Sequence, residues 1–188
     1  MSVIAAVRKN GVTAIACDGL ASLGSLKIRS DNCPNTGKLV KTDTWIAGVV
    51  GWAVMQDTLE HLSHSKPELF DFSSRQKVFD TLLRIQPVLE DEYFLETKED
   101  DEQPVSSSQL TALVVTPDSI FEIESYRAVF QYNKYWAVGA GDRFALGALH
   151  ALYDTVDDAE ELARRAVAAA CYFHNSCELP VDCEAFRQ

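Results

Sequence analysis

Ser2-Val3-Ile4-Ala5-Ala6-Val7-Arg8-Lys9-Asn10-Gly11-Val12-Thr13-Ala14-Ile15-Ala16-Cys17-Asp18 is the stretch that decides the architecture. Two short runs rich in strand formers flank Asn10-Gly11, the strongest short-range hairpin signal. Residues 3–8 and 12–17 therefore read as paired antiparallel strands. The second run is apolar throughout, which predicts that both of its faces are covered. The chain thus enters a sheet almost from its first residue, whereas termini ordinarily fray unless tied down.

Working outward, residues 19–37 carry Gly19, Gly24, Pro34, Asn35 and Gly37 and read as a loop. Residues 38–41 and 44–50 form another hairpin, ended by Gly51. Val54, Met55, Leu59 and Leu62 recur at helical spacing and predict a helix over 52–64. A second helix is predicted over 74–94, with Val78, Phe79, Leu82, Leu83, Ile85 and Leu89 on its inner side and a kink or division at Pro87. The polar, acidic residues 96–108 read as a solvated excursion. Strands resume at 110–116, 120–124 and 135–138. Gly139-Ala140-Gly141-Asp142 opens a helix to about residue 153, and a last helix covers 158–174. Strands, two helices, strands, two helices is the order of a layered α+β domain, with each of two sheets covered by a helix pair. A single domain over residues 1–188 is expected.

Composition narrows the function. With 17 Lys and Arg against 28 Asp and Glu, the net charge is −11. That balance opposes nucleic-acid binding and docking on anionic membrane, both of which need a basic footprint. No window approaches the ~20 apolar residues of a membrane span, and no signal peptide is evident. Five cysteines, Cys17, Cys33, Cys171, Cys177 and Cys183, form no CxxC pair, so a disulfide framework and a zinc site are not expected. A cytoplasmic protein without metal or cofactor is expected. The familiar nucleophile-elbow, zinc-protease and nucleotide-binding patterns are absent. His61, His64, His150 and His174 all fall in predicted helices and support no histidine-based triad.

Residue 2 stands out. Methionine is readily removed before a small residue, which leaves Ser2 as a terminus carrying its own base. An α-amino group titrates near ~7.7–8.0, so a useful fraction is unprotonated at neutral pH. A base within reach of a hydroxyl proton is what nucleophilic catalysis requires. Pairing across Asn10-Gly11 brings Ser2 beside Asp18, and Lys38 opens the next hairpin after Gly37. A lysine held by an aspartate there favours deprotonation of a neighbouring amine and hydroxyl. Gly51, between a strand and a helix, is placed to aim a backbone N–H at an oxyanion.

Ser2–Val7, Arg8-Lys9-Asn10-Gly11, Ala14–Gly19, Leu23-Gly24, Gly37-Lys38-Leu39, Ile46–Gly51 and Trp136–Asp142 together resemble the β-type subunits of proteasomes, and HslV-type peptidases in particular. The likeness spans nearly the whole chain apart from the acidic loop and points to a divergent bacterial proteasome homologue. It implies a four-layer αββα sandwich of the N-terminal nucleophile hydrolases. It implies Ser2 as nucleophile, its amine as base, Asp18 and Lys38 as the tuning pair and Gly51 as the oxyanion glycine. Ala21, Ser22, Val49 and Ala53 match substrate-binding positions, and Asn175 or Ser176 a supporting cluster after the last helix. The implied partners are an unfolded polypeptide substrate, identical subunits in a double ring of 12 or 14, and an ATP-dependent unfoldase.

Three departures bear on activity. The family nucleophile is threonine, and serine lacks the methyl that restricts the rotamer. Ala140 replaces the serine of the family's Gly-Ser-Gly turn. The 25–37 loop is longer than in HslV. The expected function is a self-compartmentalising endopeptidase; the alternatives are a catalytically weak or silent ring subunit and a small-molecule amidase on the same fold.

Overall fold

The computed structural model describes residues 2–33 and 36–187; Met1, and with it the expected methionine removal, lies outside the described residues. In chain order the strands are β1 (Val3–Lys9), β2 (Val12–Asp18), β3 (Ala21–Leu23), β4 (Leu26–Ile28), β5 (Leu39–Lys41) and β6 (Ile46–Val50). Helices α1 (Ala53–Ser65) and α2 (Arg75–Glu92) follow, then β7 (Thr111–Val115), β8 (Ile120–Ile123), β9 (Val129–Tyr132) and β10 (Tyr135–Gly139). Helices α3 (Asp142–Leu152) and α4 (Ala159–Phe173) precede the last strand, β11 (Val181–Arg187).

β1 and β2 pair antiparallel with Ile4 opposite Cys17 and Lys9 opposite Val12. Asn10 and Gly11 turn with φ of 51° and 75°, the left-handed pair that a tight hairpin needs. β10 joins the free edge of β1, and β11 the free edge of β2, giving the order β10-β1-β2-β11. The first strand is thereby central, hydrogen-bonded on both sides, which is why it does not fray. A second antiparallel sheet runs β5-β6-β7-β8-β9.

Three apolar layers separate four layers of structure. Along β1 the residues divide by parity, as the period of two demands. Val3, Ala5 and Val7 pack toward α3 and α4 with Leu149, Leu162 and Val167. Ile4 and Ala6 pack toward the other sheet with Ile46, Leu113 and Ile120. Beyond that second sheet, Val114 and Phe121 meet Leu59 and Leu62 of α1 and Leu82 and Ile85 of α2. Gly48 lets the sheets approach, since a Cβ there would lie 2.6 Å from Ile4 Cγ2. The result is an αββα sandwich.

Several details depart from the sequence expectation. α2 is not divided at Pro87 but runs through it, because Pro87 and Leu83, whose carbonyl loses its partner, both sit on the exposed face where water can replace the bond. Phe79 and Leu83 are exposed rather than inward, as is Val54 of α1. Residues 19–37 contain the short β3–β4 hairpin instead of loop alone. β9 and β11 were not anticipated. In β11 the alternation of Val181, Cys183 and Ala185, which pack on the helix layer, is masked by Asp182 and Glu184 between them.

Candidate active site

Ser2 sits at the entrance of β1 and is buried to 7% exposure. Its carbonyl accepts from Gly141 N–H at 3.4 Å. Gly139, opposite Val3 in the β1–β10 ladder, has φ +100°, and a Cβ there would lie 2.3 Å from Ser2 O. Only glycine permits that approach. The next residue's N–H, that of Val3, donates to Asp18 Oδ1 at 2.9 Å. The hairpin register therefore delivers Ser2 next to Asp18, as the spacing around Asn10-Gly11 required.

Asp18 collects charge-assisted bonds. Lys38 Nζ donates to Oδ1 at 2.6 Å; Leu20 N–H and Glu178 N–H donate to Oδ2 at 3.1 and 3.3 Å. Both partners of the ion pair are deeply buried, with side-chain exposures of 8% for Lys38 and 0% for Asp18. A buried pair of this kind costs desolvation and persists only when its remaining lone pairs are satisfied; the three backbone donors do this. The backbone at Lys38 is fixed from α1 and β6: Gln56 Nε2 donates to Gly37 O, and Val49 N–H donates to Lys38 O at 3.1 Å.

A cleft of about 600 Å3 opens beside Ser2. Ala21, Ser22, Val49, Gly51 and Ala53 line it, together with Lys38. A second depression, lined by Ser2, Gly51, Trp52, Gly139 and Ala140, lies alongside. Gly51 takes φ +104° with open space where a Cβ would stand, so it is the backbone angle, not crowding, that selects glycine. It leads directly into α1, whose N-cap Trp52 offers no side-chain cap. Uncapped first-turn N–H groups at a helix N-terminus are donors for developing negative charge.

Asn175 and Ser176 lie in the turn after α4. Ser176 Oγ donates to Asn175 Oδ1 at 3.3 Å, and Ser176 N–H to His174 Nδ1 at 3.1 Å. The group of this segment that meets Asp18 is the Glu178 N–H. Gly139, Gln56 and Glu178 are the contributors that sequence reasoning did not single out. A backbone donor leaves no residue-type signal. The nearby thiols are not nucleophiles: burial pushes Cys17 up to about 12, and burial with the Asp18 charge pushes Cys177 up to about 11. Among the described residues no group of His, Cys, Asp and Glu could hold a metal ion, and no helix is long and apolar enough to cross a membrane.

A two-sheet αββα sandwich with a hydroxyl residue at the first strand, beside a buried Asp–Lys pair, defines the N-terminal nucleophile hydrolase class. Within that class the chain belongs to the proteasome family: the profile described as "Proteasome subunit" matches residues 2–178. Thiobacillus denitrificans BPH, solved in complex with epoxomicin, is 30% identical with TM-score 0.90 over 98% of each chain. A further structure of T. denitrificans BPH gives 30% identity and TM-score 0.91 over 98% of this chain and 97% of that one. HslV from Trypanosoma brucei, at 21% identity and TM-score 0.72 over 99% of each chain, shares the fold. No curated protein matches. Family membership makes this a protease-type subunit of the kind that builds oligomeric rings acting on peptides.

Proposed function

We propose that the protein is a self-compartmentalising endopeptidase in which Ser2, exposed by removal of Met1, is the nucleophile and its own α-amine the general base. The observation that carries this is the convergence, at one cleft, of Ser2, the buried Asp18–Lys38 pair and Gly51 ahead of an uncapped helix. The Ser2 Oγ proton passes to the α-amine as Oγ attacks the substrate carbonyl. The Lys38 ammonium, held by Asp18, keeps the amine unprotonated and favours the developing alkoxide. The tetrahedral oxyanion is received by the Gly51 N–H and the first turn of α1. Collapse breaks the peptide bond, the ammonium returns its proton to the leaving amine, and the acyl group stays on Oγ as an ester. Water, deprotonated by the same amine, hydrolyses the ester and restores Ser2.

On this reading the substrate is unfolded polypeptide. The active unit is a cytoplasmic homo-oligomeric double ring of 12 or 14 subunits, and an ATP-dependent unfoldase feeds it. Five cysteines with no CxxC pair fit a reducing compartment. Two structures of a 30% identical protein, one holding epoxomicin, support the reading. A second reading, a ring subunit without catalysis, is favoured by one observation: Ala140 stands beside Ser2, where the family pattern has a hydroxyl that would support the amine. Hydrolysis of fluorogenic peptides by the wild-type ring and by Ser2→Ala separates the two. The proposal expects turnover lost in the variant with ring size retained; equal rates in both proteins would reject it.

A further inference from the structure

A second cavity, of about 520 Å3, lies between the β5–β6 turn, the segment leading into α2 and the β7–β8 turn. It is separate from the cleft beside Ser2: β6 and its flanks run six residues from Trp45, which lines this cavity, to Gly51, which lines that cleft, about 20 Å of strand. Its floor is aromatic. Trp45, Phe70 and Phe72 interlock with ring centroids 5.1–5.9 Å apart. Its rim carries three carboxylates, Asp43, Asp71 and Asp118, and no described lysine, arginine or histidine lines it. Trp45 is only 4% exposed. Its indole N–H has no acceptor among the described residues and, unlike that of Trp136, is not sealed inside the protein. A buried donor that reaches a cavity unpaired calls for an acceptor from outside.

The carboxylates keep capacity to spare. In the β5–β6 turn it is the Thr42 hydroxyl that accepts from Thr44 N–H at 3.3 Å and Trp45 N–H at 3.1 Å, so the turn leaves the Asp43 carboxylate unused. Ser73 Oγ and N–H donate to Asp71 Oδ1 at 2.6 and 3.1 Å and hold that carboxyl below the usual range, ionised at neutral pH. The nearest cations, Arg8 at 4.0 Å from Asp118 and Lys77 at 3.9 Å from Asp71, do not line the cavity. Among the described residues no group of carboxylates is arranged for a metal ion, and the aromatic floor suits an organic cation. A guanidinium is planar, stacks on aromatic rings and offers five donors to carboxylates. We propose that this cavity binds an arginine residue of a peptide chain, with the guanidinium among Asp43, Asp71 and Asp118 over the aromatic floor and a backbone carbonyl accepting from the Trp45 indole N–H. The site is independent of the reading of Ser2 as nucleophile.

Isothermal titration of the purified full-length protein with N-acetylarginine amide tests the site directly. Saturable binding is expected, at least about tenfold tighter than that of N-acetylcitrulline amide, a neutral isostere that cannot form charge-assisted bonds. Agmatine carries the guanidinium without the carbonyl and should bind more weakly than N-acetylarginine amide, which separates a peptide-borne arginine from a free guanidinium compound. Asp43→Asn, at an exposed position whose turn is held by Thr42, should weaken the arginine amide by at least about tenfold. Trp45→Phe keeps an aromatic floor and should bring the arginine amide down toward agmatine. Ser2→Ala should bind as wild type. Absence of saturable binding, arginine and citrulline amides equal within about twofold, agmatine as tight as the arginine amide, or an affinity unchanged in Asp43→Asn would overturn the assignment.

Discussion

Gly139→Ala tests whether the position of Ser2 is set by the strand that lies against it. An added Cβ would stand 2.3 Å from Ser2 O and 3.0 Å from Ser2 C. An ordinary contact begins at 3.4 Å, so the Ser2 carbonyl must retreat by 3.4 − 2.3 = 1.1 Å or the end of β10 must move instead. The φ of +100° adds strain for any L side chain, about 1–3 kcal/mol. At about 2–4 °C per kcal/mol for a chain of this size, the melting temperature should fall on the order of 5 °C. Activity should fall further than stability, because a misplacement of about 1 Å costs on the order of a hundredfold in rate. Thermal denaturation by circular dichroism and peptide turnover at 25 °C measure the two effects on one preparation. Gly147→Ala is the control, since nothing lies within 4 Å of a Cβ there. Should Gly139→Ala melt as wild type and retain turnover within about threefold, the argument that Gly139 sets the Ser2 backbone would be wrong.

Other outcomes follow from the same geometry. Gly147→Ala, in the exposed middle of α3, should raise stability by about 0.5–1 kcal/mol in urea titrations; a loss there would mean that this face is packed against something. Lys38→Met or Asp18→Asn alone, each leaving half of a buried pair, should cost about 3–5 kcal/mol. The double variant should cost less than the sum of the two, and strict additivity would show the 2.6 Å contact to be energetically idle. Burial raises the Cys17 thiol from 9.0 to about 12, so between those values the native state keeps a proton that the unfolded chain releases. Stability is therefore full below pH 9 and falls above it, by about 1.4 kcal/mol per pH unit for such a group; the urea midpoint should drop from pH 9 to 10, and Cys17→Ala should flatten that drop.

The layered architecture was legible because β1 and β2 are apolar over unbroken runs, Val3–Val7 and Ala14–Cys17, and the helices show clear periodicity. Two covered faces on one strand leave few arrangements besides a sheet buried between helices and a second sheet. The Ser2–Asp18–Lys38 grouping was legible from the Asn10-Gly11 register and from Gly37 ahead of Lys38. What stayed hidden has physical causes. Glu178 acts through its backbone, so its side chain gives no hint. Pro87 reads as a helix break, but breaks nothing where the freed carbonyl faces water. The β3–β4 ribbon is only three residues a side between Gly19 and Gly37, and its alternation is too short to register until the cross-strand partners are known. Trp52 and Val54 fit a helical apolar pattern, and only their exposure shows that they face a cleft rather than a core.

The central claim is that Ser2 carries both the attacking hydroxyl and the base. An epoxyketone such as epoxomicin engages both a terminal hydroxyl and a terminal amine, so intact-mass spectrometry of the purified ring after incubation with it tests the two together. The account predicts a chain lacking Met1, shifted by one inhibitor mass, with the adduct mapped to Ser2 and lost in Ser2→Ala. A chain that retains Met1 and stays unmodified would contradict it.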